Sequence, residues 1–285
     1  MGRTVTGSWE TSHTLTSIDE FGIGVLEITN AGPLNILNTP VVCDVTSAVK
    51  GLAVLPDLRA LVLRGAGDRA FIGGADIKEM VHLRRETAVE FISRIAGLCE
   101  ALRQFPTPVI ARLSGWCLGA GLEVAVACDL RISSGDAHFG MPEVAVGIPS
   151  VIHAALLPRL IGNGRARWLL LTGRSITAAT ALSWGLIDEV YDGPELDSAV
   201  AAAARGLAGL GPGAVRRQKT LLRSWEDASI DDAVKASIDE FGSAFDTAEP
   251  EEFMTKFLTA RKRDARALDA SPSRSSQTPL PASPG

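Results

Sequence analysis

The chain has 285 residues, 46% of them hydrophobic and 21% charged, enough for one large globular domain or one plus a small appendage. A formal net charge of -5 argues against nucleic acid or an anionic membrane surface as the main partner. Cys43, Cys99, Cys117 and Cys128 lie in apolar contexts without CxxC spacing or a paired His cluster, which reads as reduced thiols of a cytoplasmic protein, not a disulfide frame or a metal site.

Residues 1–15 are polar and rich in Ser and Thr, a loose lead-in or an edge strand without the apolar core of a secretory signal. Phe21–Thr29 alternates as a strand does, and Asn30–Asn38 carries turn chemistry in its Gly-Pro and repeated Asn. A helix is predicted over Pro40–Leu52 and a short apolar strand over Leu58–Arg64. Phe71–Met80 is a glycine-flanked passage into a helix, and Glu86–Arg103 has apolar residues at helical spacing. Val109–Leu113 is the next strand, and it leads into the stretch Ser114–Asp129, a glycine-rich turn followed by an apolar, alanine-rich helix.

Leu130–Ser133 is predicted as strand, His138–Glu143 as a turn, Ile152–Leu160, Ala166–Leu171 and Thr177–Trp184 as helices, and Gly185–Val190 as strand. No run approaches the ~20 apolar residues of a membrane span. The pattern divides into a loose segment 1–15, an α/β core 16–194, a helical C-terminal subdomain 195–264 and a tail 265–285. The subdomain's three helical patterns cover 195–209, 212–224 and 229–260, the last broken near Pro250. Their amphipathic faces fit pairing with another subunit, and the Ser/Pro-rich tail is expected to be disordered.

Glu123 is the only charge between Arg112 and Asp129. Either it points to solvent, or it is a buried carboxylate with work to do beside the free N–H groups of a helix start. Gly119-Ala120-Gly121 lacks the third glycine of a dinucleotide loop, and neither a P-loop nor a Gly-x-Ser-x-Gly elbow occurs. His138 and His153 are more readily structural than catalytic. What remains is Glu123 and Glu143 with two glycine turns, Gly74-Ala75 and Gly119-Ala120. Backbone N–H pairs hold an oxyanion and tuned carboxylates move protons, which is the equipment of enolate chemistry. Spacing leaves open whether the four pieces meet.

Ala70–Met80, Pro108–Asp129 and Phe139–Glu143, with the trailing Leu171-Thr172-Gly173 and Trp184–Ile187, closely resemble the enoyl-CoA hydratase (crotonase) family over roughly residues 17–260. The resemblance implies a crotonase-like (ββα)-type spiral core and an oxyanion hole from the amides of Ala75 and Ala120. It also implies catalytic roles for Glu123, which positions and deprotonates water, and Glu143, which exchanges the proton at the α-carbon. Asn35–Asn38 with Ala75, Asp76, Ile77 and Lys78 resembles the part that cradles coenzyme A; the plainer reading of Asp76 and Lys78 is a cap and a surface charge.

One segment departs from the family, which commonly runs Gly-rich after the second glutamate. Here Gly147–Leu160 places Ser150, Val151 and His153 beside the expected acyl pocket. The resemblance implies syn hydration of a 2-enoyl-CoA to a 3-hydroxyacyl-CoA, with no cofactor or metal beyond the coenzyme A of the acyl-CoA substrate, in a homotrimer or homohexamer. The alternatives are an acyl-CoA thioester hydrolase (or a hydratase that also hydrolyses) of the same fold, and a non-catalytic RNA- or partner-binding protein.

Overall fold

Residues 6–269 of the protein, with side chains to residue 261, are described by a computed structural model. The chain opens as an antiparallel meander of β1 (Gly7–Glu10), β2 (Thr14–Ile18) and β3 (Ile23–Ile28). Helix α1 (Thr39–Ala53) follows, its first turn holding Pro40 and capped by Asn38, which accepts from the Val41 N–H at 3.0 Å.

A repeated unit then begins: a strand in the main sheet, a short strand in a second sheet, and helix. First come β4 (Ala60–Gly65), β5 (Ala70–Ile72), α2 (Ile77–Met80) and α3 (Arg85–Arg103). Next are β6 (Val109–Leu113), β7 (Trp116–Leu118) and α4 (Ala120–Ala127). The last repeat is β8 (Leu130–Ser134), β9 (His138–Gly140), two 3-10 turns (Pro142–Val146 and Ile152–Leu156), α5 (Leu157–Ile161) and α6 (Asn163–Thr172). Strand β10 (Ser175–Thr177), α7 (Ala178–Trp184) and β11 (Glu189–Tyr191) complete the two sheets. The main sheet runs β1-β2-β3-β4-β6-β8-β11, parallel from β3 onward, and the second runs β10-β9-β7-β5. This is the α/β spiral expected of the crotonase fold. The second sheet escaped sequence patterning because its strands have three residues each, too few to display a period of two.

Strands β4 and β6 are apolar on both faces because both faces are covered. On one side Val45 and Val49 of α1 and Ile95 and Leu98 of α3 join Leu26, Leu61 and Leu63 in the main core. On the other, Ile23, Val62, Ile110 and Ile132 meet Leu196, Val200 and Ala204 of α8 (Gly193–Ala208). Burying Leu196 and Val200 stabilises the docked helix by about 2 kcal/mol each.

Helix α9 (Pro212–Trp225) is tied down by Lys219, whose Nζ donates to the Asp129 carboxylate at 2.6 Å and the Thr107 carbonyl at 3.1 Å. The compact unit therefore continues to Ala228, and α10 (Ile230–Ala244) and α11 (Glu249–Asp269) form a second unit. The boundary read at 194/195 falls earlier than this parting, because the apolar stripe of α8 is the cover of the main sheet. The predicted break near Pro250 lies between α10 and α11, with Pro250 in the first turn of the latter.

The segment read as a lead-in over residues 1–15 contributes β1 and the start of β2. Helix α11 runs through 265–269, while residues 1–5 and the remainder of the predicted tail lie outside the described residues. Among the described residues no helix is long and apolar enough to cross a membrane.

Candidate active site

Ala, Val and Leu make α4 apolar all round, and all eight of its residues are buried, Glu123 included at 3% exposure. The carboxyl therefore faces the interior and not solvent. Burial pushes Glu123 up to about 8; the Ala154 N–H, donating to Oε1 at 3.0 Å, pulls the other way, and the charge of Glu143 adds to the rise. That N–H is shared with the Val151 carbonyl.

Two glycines seat the helix. Gly119 adopts φ 53° and ψ -123°, a conformation essentially reserved for glycine, and a Cβ there would meet Glu143 Oε1 at 2.5 Å. A Cβ on Gly121 would meet the Ile72 carbonyl oxygen at 2.2 Å, so the helix backbone lies directly against β5. Ala120, between them, takes the first helical position, where the N–H has no carbonyl one turn back to bond.

The Ala75 amide is presented differently. Leu37 and Ala75 form an isolated parallel bridge in which Leu37 N–H donates to Gly74 and Asp76 N–H donates to Leu37. The bridge uses the groups flanking Ala75, which turns the Ala75 N–H itself to the opposite side.

Glu143 arrives on the 3-10 turn Pro142–Val146, closed by Gly147 in the left-handed region at φ 82°. Its carboxylate is half-buried, and Ser150 Oγ donates to Oε2 at 2.8 Å. Glu123, Glu143, Ala75, Ala120 and Ile77 all line one cavity of about 350 Å³. Its remaining wall is almost wholly apolar, with Met80, Phe91, Ile92, Val146, Ile148 and Val151. Such a space favours an acyl chain, and two carboxylates with two backbone amides at its polar end can move protons and hold an oxyanion.

Of the remaining sequence candidates, Asp76 caps α2 by accepting from the Lys78 N–H at 2.8 Å, while Lys78 is exposed. Neither lines the cavity. Asn35 and Asn38 are committed to structure: Asn35 Nδ2 donates to the Ala70 carbonyl at 2.8 Å, and Asn38 caps α1. His138 stacks on Trp116 at 4.9 Å, and His153 lies with Nε2 3.6 Å from Glu100; neither is a cavity residue. Among the described residues no group of three or more His, Cys, Asp or Glu side chains is placed to hold a metal ion.

Sequence reasoning did not find the contacts made by Ser150 and Ala154. The only signal was that both fall in the segment departing from the family pattern; a hydrogen bond to each glutamate is not readable from residue type.

A family profile described as Enoyl-CoA hydratase/isomerase matches residues 19–266. The crotonyl-CoA hydratase of Syntrophomonas wolfei is 36% identical over 244 residues, 84% of this chain and 93% of that protein. The short-chain-enoyl-CoA hydratase of Clostridium acetobutylicum is 32% identical over 241 residues, 84% of this chain and 92% of that protein. Among solved structures, an enoyl-CoA hydratase from Bacillus anthracis superposes with a TM-score of 0.81 at 27% identity, covering 90% of this chain and 96% of its own. Pseudomonas aeruginosa DspI superposes at 0.84 and 29% identity, covering 88% and 95%.

Proposed function

The chain belongs to the enoyl-CoA hydratase/isomerase family, and from that footing we propose that it is an enoyl-CoA hydratase, adding water syn across the double bond of a 2-enoyl-CoA to give a 3-hydroxyacyl-CoA. The observation that carries this reading is the meeting of two carboxylates, Glu123 and Glu143, on one apolar cavity that also holds Ala75 and Ala120. A double-bond isomerase needs only one carboxylate to shuttle a proton; a second one has work when water is added.

In this reading Glu123 takes a proton from water as the water oxygen bonds to the β-carbon. The π electrons move onto the thioester oxygen, where the Ala75 and Ala120 amides stabilise the enolate. Glu143 then delivers a proton to the α-carbon as the carbonyl reforms. The pair shares one proton, which rests on the buried Glu123; it passes to Glu143 before water is activated, and turnover returns a proton to Glu123. Ile77 lines the cavity, and the coenzyme A portion would lie along the segment it shares with Asp76 and Lys78.

Crotonyl-CoA tests the activity. The expected result is loss of the conjugated thioester absorbance without release of free thiol. Thiol release would make the protein a hydrolase, and no change with any chain length would end the enzymatic reading. We also read the second unit as an oligomerisation element in a homotrimer or dimer of trimers. Ile230, Val234, Ile238 and Phe241 of α10 and its C-cap Phe245 are exposed at spacings of three and four, and a subunit contact would cover them. Light scattering measures this directly. Four free thiols, three of them buried, fit a cytoplasmic setting.

A further inference from the structure

Both glutamates are held by one short segment. Ser150 Oγ donates to Glu143 Oε2 at 2.8 Å, and four residues later the Ala154 N–H donates to Glu123 Oε1 at 3.0 Å. Between them Ile152 adopts φ 39°, costly for a β-branched residue and sustained only where the surroundings demand it. The segment thus spans two carboxylates that arrive on separate elements.

The contact at Glu143 settles which oxygen is available. Oε2 is engaged by Ser150, while Oε1 lies over Gly119, close enough that a Cβ there would collide with it at 2.5 Å. Ser150 is half-buried and is not a cavity residue, so it reaches the reaction only through the carboxylate. We propose that Ser150 is a positioning residue: its hydroxyl fixes the rotation of the Glu143 carboxyl, keeping Oε1 over Gly119 where the α-carbon of the substrate is protonated. The inference rests on the hydratase reading above. A hydroxyl bound to a carboxylate is a charge-assisted contact, and its loss leaves Glu143 free to turn about its last bond, which lowers the rate and not the affinity.

The test uses the full chain and crotonyl-CoA with wild type, Ser150→Ala, Ser150→Thr, Glu143→Gln and the Ser150→Ala/Glu143→Gln double variant. Ser150→Ala is expected to lower kcat about 10- to 100-fold, with KM within about twofold of wild type and an unchanged thermal midpoint. Ser150→Thr, which keeps the hydroxyl, recovers most of the rate. In the Glu143→Gln background Ser150→Ala has no further effect, because the group it positions has lost its proton chemistry. Wild-type hydration together with an unchanged kcat in Ser150→Ala would overturn the Ser150 assignment alone. So would an equal loss with and without Glu143, or no recovery by Thr. A wild type that hydrates no enoyl-CoA would remove the hydratase reading, and this inference with it.

Discussion

Glu123 rises from a helix in which every residue is buried, whereas Glu143 stands on a 3-10 turn with no buried residue at all. The two carboxyls are chemically alike, but their supports are not. Around Glu123 the environment itself does the tuning: removal from water raises the acid to about 8 against one opposing backbone N–H. Around Glu143 the control lies in a side-chain hydrogen bond from Ser150 and in the missing side chain of Gly119. The interior support is inseparable from the core, while the Ser150 contact can be removed at little cost in stability. One region sets the proton affinity of Glu123; the other sets where the Glu143 carboxyl points.

The largest effects are expected from neutralising each carboxyl in turn. Glu123→Gln and Glu143→Gln are each expected to lower kcat for hydration by about 10³-fold, within the usual range for general acid–base catalysis, with circular dichroism unchanged. Their stabilities should differ. Above pH 8 Glu123→Gln melts higher than wild type, because it removes a buried charge, and Glu143→Gln gains less, because it removes only the charge beside it. Equal activity of either variant with wild type would discard its catalytic assignment.

Gly119→Ala joins the two regions in one substitution. Its methyl would press on Glu143 Oε1 at 2.5 Å and hold a left-handed backbone. Turnover should fall by about 10²-fold, from carboxylate displacement, and stability by about 1–3 kcal/mol, the usual cost of such a conformation. A Gly119→Ala enzyme with normal rate would mean that Glu143 is not held against this turn.

A smaller and graded effect follows from the raised acidity constant of Glu123. The folded protein holds a proton there that the unfolded chain releases above about 4.5. Its contribution to stability is therefore complete below that pH and is lost as pH rises through about 8. Each unit of separation between the folded and unfolded values is worth about 1.4 kcal/mol. Hydration should decline across the same upper limit, about tenfold per unit, as the pair gives up its shared proton. In Glu143→Gln the stability titration should move to lower pH, since its neighbour's charge is one cause of the rise. Chemical denaturation between pH 5 and 9 measures this, and a flat profile in wild type would show that Glu123 is not desolvated.

Much of this was legible in the chain. Strands β3, β4 and β6 announced themselves because each carries a short, largely apolar run, such as Ala60–Leu63 in β4, as a strand covered on both faces does. The glycines before Ala75 and Ala120 and the solitary Glu123 marked residues that line one cavity, since those residue types have specific backbone and charge consequences. His153 reads as structural from sequence and lies against Glu100 in the fold. The second sheet and the true edge of the compact unit were not legible. Three-residue strands such as Trp116–Leu118 leave no pattern, and the stripe Leu196, Val200, Ala204 looks the same whether its cover is a sheet or another subunit.

What the sequence determined unaided is the inventory: strands long enough to carry a hydrophobic signal, turns that only glycine allows, and two acids in otherwise apolar surroundings. These follow from local chemistry, which residue order carries directly. Only the tertiary structure decided that the acids share a cavity, that burial lifts one of them to about 8, and that Ser150 and Ala154 each take hold of one. Those facts depend on desolvation and on hydrogen bonds between groups 7 and 31 residues apart, and such distances close only when the whole core has packed.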